Sequence, residues 1–225
     1  MSSSYCLLNN PDDKAIDIAL ITEHKLLPRS QSFLLSINEN FFSYSTFDNS
    51  VDKYGHLRCG KAGTAILIRK RISQISNIDN DRIVGIEIRN NHHIPLYILC
   101  MYMPSESDVN WYNETLCDVQ ALFSHYCNVG TVLITGDLNA QLVTDSRLSQ
   151  NPKSKLLSLF VNRNGLVPAH SLFGCNAYTY VPTRSILDYV LVERAASHII
   201  TDYSVAKPEE VLTFDHLYFS IKFWQ

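Results

Sequence analysis

Asp137 and Asn139 stand two residues apart in Thr131-Val132-Leu133-Ile134-Thr135-Gly136-Asp137-Leu138-Asn139-Ala140, where an apolar, β-branched run stops at a glycine. In an extended chain residues i and i+2 share a face, so this spacing predicts that both side chains project together from the end of a buried strand. An acid beside an amide can hold a water or a metal while donating a hydrogen bond to a phosphate oxygen. Gly-Asp and Asn are also ordinary strand-ending residues, so the turn has a purely structural reading as well.

Four other places pair reactive side chains with strand ends. Glu23 closes the apolar run Asp17-Ile18-Ala19-Leu20-Ile21-Thr22, in parallel with Ile-Thr-Gly-Asp at 134–137. Tyr102 ends Cys100-Met101-Tyr102-Met103-Pro104 beside a proline. Asp188 opens the apolar run Asp188-Tyr189-Val190-Leu191-Val192, where a charge needs a partner or water. Asp215 and His216 are adjacent just before the last apolar segment. Each also has a plain structural reading: a surface acid for Glu23, a core ring for Tyr102, a salt bridge for Asp188, a locally bonded imidazole for His216.

These residues need strands to present them. Apolar, β-branched patterning predicts strands at 16–21, 63–68, 83–88, 95–101, 131–135, 186–192 and 217–223. The runs at 16–21 and 131–135 are nearly all apolar, as for central strands covered on both faces. The segment at 83–88 alternates in part, as for a strand with one wet face. Helical spacing of Trp111, Tyr112, Leu116, Val119, Leu122, Phe123 and Tyr126 predicts a helix over 108–126 with Asp108 as N-cap. A second helix is predicted over 152–164, stopped by Asn164-Gly165. Helices interleaved among more numerous strands imply an α/β sandwich with helices on the outer faces.

Composition narrows the alternatives. At 225 residues and 46% hydrophobic the chain can bury one sizeable core. No apolar run reaches about 18 residues, so no membrane span is expected. No basic stretch precedes an apolar one at the N-terminus, so no secretory signal is expected. The six cysteines lack Cys-x-x-Cys spacing and are expected to be buried free thiols in a reducing, intracellular compartment. A net charge of −3 does not announce a nucleic-acid binder. Arg58 with Lys61, Arg69-Lys70-Arg71, and Lys153 with Lys155 are expected to be solvated strand ends and loop tips, one of which a phosphodiester-cutting enzyme could use.

The order and local sequence of the five sites resemble the endonuclease/exonuclease/phosphatase superfamily, the DNase I-like fold. Within it they most resemble the endonuclease domain of non-LTR retrotransposons, which is related to apurinic/apyrimidinic endonucleases. The resemblance rests on residues 17–26, 63–69, 102–104, 136–140, 185–192 and 214–216. It implies a single domain over 1–225, a four-layer α/β/β/α sandwich. It also implies Mg²⁺, with Mn²⁺ as the alternative, held by the carboxylates of Glu23 and Asp215. Asp137 would position or deprotonate the attacking water, Asn139 would hold that water or a phosphate oxygen, and Tyr102 would contact the phosphate. His216 would donate to the phosphate while Asp188 fixes its ring and keeps it protonated. The reaction implied is metal-assisted, in-line hydrolysis of a phosphodiester in double-stranded DNA. The partner implied is a reverse transcriptase domain in a longer parent polyprotein, and the implied location is the nucleus.

The pattern departs from the family at its start. The family begins with a strand carrying an Asn, followed by a helix, before the glutamate. Here Tyr5-Cys6-Leu7-Leu8-Asn9-Asn10 resembles the tail of that helix, so the chain is expected to be N-terminally truncated and to lack the first strand. Such a chain would bind Mg²⁺ more weakly and leave sheet edges unpaired. Phe214 also replaces the serine usual before Asp-His. Two other readings follow: a phosphatase of the same fold acting on lipid or nucleotide phosphates, and an inactive remnant or binding module.

Overall fold

The computed structural model describes residues 16–47, 63–70, 75–80, 82–89, 94–105, 108–143, 151–206, 215–217 and 219–223. The chain divides into two compact units, Met1–Tyr102 and Met103–Gln225. Among the expectations above, those for the missing first strand, Asn9, Asn10, Arg58, Lys61, Arg71, Cys6, Cys59 and Phe214 lie outside the described residues.

In the first unit, β1 (Ile18–Thr22), β2 (Phe41–Thr46) and β3 (Thr64–Arg69) form an antiparallel sheet in the order β1-β3-β2. β3 is paired along both edges and is buried from Thr64 to Ile68. The short helix α1 (Gln31–Ser36) adds Leu34 to a core of Ile21, Ile37, Phe41, Ala65 and Leu67. The apolar run at 16–21 predicts a central strand, yet β1 pairs with β3 alone among the described residues, and Ile21 is its one buried residue. Apolar content there marks one packed face, with Ile21 in the core of this sheet and Ala19 packed against it. β5 (Ile83–Ile88) pairs antiparallel with both β4 (Ile75–Asn80) and β6 (Leu96–Tyr102). The partial alternation of β5 predicts a wet face, but β5 is buried through Glu87. The Glu87 carboxylate is tolerated inside because Arg89 pairs with it and the Tyr97 hydroxyl donates to it at 3.2 Å.

In the second unit, β9 (Asp188–Glu193) pairs antiparallel with both β7 (Thr131–Asp137) and β8 (Leu166–Pro168). β10 (Ile200–Val205) pairs with β11 (Phe219–Phe223). Val132, Leu133 and Ile134 are fully buried, as their all-apolar pattern predicts. Helix α2 (Val109–Tyr126) is capped by Asp108, whose carboxylate accepts from Asn110 N and Trp111 N. Helix α3 (Pro152–Arg163) is capped by Asn151, which accepts from Lys153 N, and it ends at Asn164 with Gly165 at φ +62°. Phe123 of α2 meets Phe160 of α3 edge-on, with ring centroids 6.5 Å apart. The short helix α4 (Ala169–Leu172) follows β8.

Most strand boundaries move by one or two residues, β1 starting at Ile18 and not at Ile16. β7 runs two residues past Thr135, because Gly136 takes φ +127° and keeps the pairing through Asp137. β9 begins at Asp188 and not at Ile186, and β11 begins at Phe219 and not at Leu217. Cys100 is buried as expected, but Cys117 is exposed, on the outer side of α2. Lys70 and Lys155 are exposed as expected; Lys153 is buried. Among the described residues no helix is long and apolar enough to cross a membrane.

Candidate active site

The first unit carries Glu23 and Tyr102. Glu23 follows β1 with φ +54°, a left-handed conformation that costs a non-glycine residue energy and needs outside support. Part of that support is the next residue. His24 is buried; its Nε2 donates to Thr46 O at 3.0 Å and its Nδ1 accepts from Leu26 N at 3.1 Å. This pattern requires the neutral, Nε2-protonated ring, and burial pushes the His24 pKa below its usual value, in the same sense. The ring sits against Gly63, where a Cβ would come within 2.3 Å of it, and Gly63 has φ +114°. The buried Tyr102 donates its hydroxyl to Glu23 Oε1 at 3.4 Å. Lys25 Nζ also approaches Glu23 Oε1, at 3.3 Å, with its own side chain largely exposed.

The second unit carries the other five. Asp137 and Asn139 come together, though not by strand alternation as their spacing predicts. The chain turns at Asn139, with φ +47°, a region Asn tolerates better than most residues. Asn139 N donates to Asp137 Oδ1 at 2.9 Å, and Asn139 Nδ2 donates to Asp137 Oδ2 at 3.2 Å. The second Nδ2 proton goes to Met103 O at 2.9 Å. Both amide protons thus face acceptors, which fixes the amide orientation and leaves Oδ1 as its acceptor atom.

Asp188 lies in register with Asp137 across β7 and β9, and both are buried. His216 Nδ1 is 2.8 Å from Asp188 Oδ2, and its Nε2 is 3.8 Å from Asp137 Oδ2. Tyr180 covers one side of the His216 ring, with centroids 4.8 Å apart. The ligand atoms of Asp137, Asp188 and His216 all lie within 4.8 Å of one another, a spacing one divalent cation can bridge. Asp215 is outside this group and exposed; its carbonyl accepts from Val181 N at 2.7 Å.

Thr179 and His24 are structural partners of these residues that sequence patterning does not mark, and Lys153 is a third partner. Thr179 is fully buried; its Oγ1 accepts from Leu187 N and Asp188 N, both at 3.0 Å, and its carbonyl accepts from Leu217 N at 2.7 Å. One residue thereby ties down the chain on both sides of the Asp188–His216 pair. Next in sequence to Asp188, Tyr189 donates its hydroxyl to Ile186 O and accepts from Leu142 N; burial pushes its pKa up to about 12, so it remains a donor. Lys153 did carry a signal, since a cation in the first turn of a helix opposes the helix dipole and needs another reason to be there.

This arrangement can accept a proton at Asp137, orient a water through Asn139 Oδ1, and donate from a carboxylate-held imidazole. A family model described as endonuclease-reverse transcriptase matches residues 96–220, more than half of the chain. A search of curated proteins finds no match. Among solved structures, the 3′ phosphatase NExo from Neisseria, bound to a product DNA hairpin, is 14% identical with a TM-score of 0.70, covering 98% of this chain and 92% of that one. The endonuclease domain of TRAS1, a telomere-specific non-LTR retrotransposon, is 15% identical with a TM-score of 0.68, over 98% and 91%. An AP endonuclease from Archaeoglobus fulgidus is 15% identical with a TM-score of 0.64, over 97% and 92%. The fold is that of the DNase I-like endonucleases, as the resemblance implies.

Proposed function

Because the chain belongs to the endonuclease-reverse transcriptase family, we propose that it is a Mg²⁺-dependent phosphodiesterase that nicks double-stranded DNA as a retrotransposon-type endonuclease. The observation that carries this reading is the placement of Asp137 and Asn139 beside the Asp188–His216 pair. Asn139 Oδ1 accepts one hydrogen of the attacking water and aims its oxygen at phosphorus. Asp137 takes the other proton as the oxygen–phosphorus bond forms and the leaving oxygen departs on the opposite side. His216 donates from Nε2 to a phosphate oxygen as charge builds there, and Asp188 holds Nδ1–H so that Nε2 faces the substrate. Tyr102 would contact the phosphate by turning its hydroxyl proton away from Glu23 Oε1.

Glu23 and Asp215 offer the hard carboxylate oxygens that Mg²⁺ or Mn²⁺ prefers, and their donor type fits such an ion. When bound, the ion neutralises developing negative charge on the phosphate. The partner fitting this reading is double-stranded DNA in the nucleus, with a reverse transcriptase domain in a longer parent polyprotein.

The test is conversion of supercoiled plasmid to open circles with Mg²⁺, its loss in EDTA, and its loss in Asp137→Ala. Hydrolysis of lipid or nucleotide phosphates without nicking assigns the fold to a phosphatase. A folded chain that cleaves none of these is a binding module or an inactive remnant.

A further inference from the structure

Lys153 is 7% exposed, and its Nζ donates to Pro104 O at 2.9 Å. It occupies the first turn of α3, where the unpaired N–H groups disfavour a cation. Burying an ammonium is costly unless hydrogen bonds and π-faces replace water. The Tyr112 ring lies 5.4 Å from Nζ, and the Tyr112 hydroxyl donates to Leu138 O at 2.9 Å. Lysine and tyrosine thus form one support with two arms. One arm reaches Pro104 and the other reaches the residue between Asp137 and Asn139.

The Pro104 arm continues into the site. Met103, the preceding residue, donates its N–H to Asp137 O at 2.9 Å and accepts Asn139 Nδ2 at 2.9 Å. A shift of the Pro104 carbonyl therefore moves the acceptor that fixes the Asn139 amide. We propose that Lys153 is a positioning residue for the Asp137–Asn139 turn, acting through the Met103–Pro104 strap. This rests on the hydrolase reading, with Asn139 Oδ1 as the acceptor that aims the water.

The test is a double-mutant cycle on the full chain. Lys153→Met keeps the length and apolar stem and removes the donor. Nicking kcat falls about 10- to 100-fold while KM stays within about twofold, since a small displacement of an orienting group costs rate more than binding. In an Asn139→Ala background, Lys153→Met causes no further loss. Additive losses, a KM-only effect or an unchanged rate overturn the proposal. A second readout does not depend on activity. The Asn139 side-chain NH₂ protons, assigned by their absence in Asn139→Ala, exchange faster with solvent in Lys153→Met, while backbone amides of α2 keep wild-type protection. Unchanged side-chain exchange overturns the proposal even if the chain nicks DNA. A wild-type chain that nicks nothing defeats the hydrolase reading, and with it any catalytic role for Lys153, whatever the exchange result. Should Lys153→Met fail to fold, Lys153→Gln replaces it; unfolding of both makes the residue structural and overturns the proposal.

Discussion

Asp137 and Asp188 stand directly opposite each other in the antiparallel pairing of β7 with β9, at 3% and 6% exposure. Like charges in directly opposed strand positions repel, and more so away from water. The His216 imidazole lies between them, 2.8 Å from one carboxylate and 3.8 Å from the other. Two buried acids in this relation cost stability unless a cation or a proton sits between them.

Asp188→Asn tests that relation. The amide oxygen can still accept His216 Nδ1–H, so the ring stays in place while one of the two charges is gone. Thermal stability should rise by about 2–4 °C. The nicking rate should fall by about 10²-fold or more, because the imidazole loses the anion that supports its charge. Melting curves and initial rates on the same preparation check both. A drop in Tm of comparable size would show that the opposed acids stabilise the fold.

Gly63→Ala probes the support of Glu23 from the opposite strand. The added Cβ would meet the His24 ring at 2.3 Å, and φ +114° is hostile to any side chain. The ring cannot swing away freely, being held at both nitrogens. The variant should lose about 2–4 kcal/mol by denaturant unfolding. In a His24→Ala background the same Gly63→Ala change should cost less than in the wild type, since the clash is gone and only the backbone strain is added. An equal cost would mean that the ring is not the obstacle.

Much of this site is legible in the sequence because its acids sit at the ends of apolar runs. Ile134 and Leu191 announce buried strands, and Asp137 and Asp188 follow by position. What joins them is not legible. The Asp137–Asn139 contact comes from a left-handed turn at Asn139, and the i, i+2 rule reaches the right neighbours by the wrong geometry. Thr179 lies nine residues from Asp188 and is an ordinary threonine by type; only the folded chain shows its hydroxyl beneath two N–H groups. Strands β2 and β10 are missed because Phe-Phe-Ser-Tyr-Ser-Thr and Ile-Thr-Asp-Tyr-Ser-Val are too polar to stand out from loops. The centre of the first sheet is likewise set by pairing on both sides of β3, which apolar content alone does not reveal.

Acid should weaken the same corner of the first unit. Burial holds the His24 pKa below its usual 6.5, and protonation would turn Nδ1 into a donor facing Leu26 N–H. With the folded value below the unfolded one, the unfolded chain binds more protons as pH falls. The stabilisation is complete above the ordinary histidine range and is lost as pH drops through the folded value. His170, whose pKa burial also lowers, shifts stability in the same direction. Melts without divalent ions should show Tm falling between about pH 7 and pH 5. The slope should flatten in His24→Gln, which cannot titrate there. An equal slope in that variant would move the pH sensitivity elsewhere.

Thr179→Val separates the hydroxyl from the shape of the side chain. Valine fills nearly the same volume, but the N–H groups of Leu187 and Asp188 lose their shared acceptor in a fully buried place. One buried and one half-buried donor left without an acceptor should cost about 2–3 kcal/mol. The strain falls at the first residue of β9, so Asp188 should lose its hold on His216 Nδ1. Thr179→Ser keeps the oxygen and should retain most of the stability, losing about 1 kcal/mol for the missing methyl. Denaturant unfolding of the pair of variants measures the hydroxyl's share. The His216 ring Nδ1–H resonance, expected far downfield while held by a carboxylate at 2.8 Å, should persist in the serine variant and broaden away in the valine one. If valine and serine behave alike in both measurements, the hydroxyl does not position the pair, and the backbone bonds of Thr179 to Ser185 and Leu217 do that work alone.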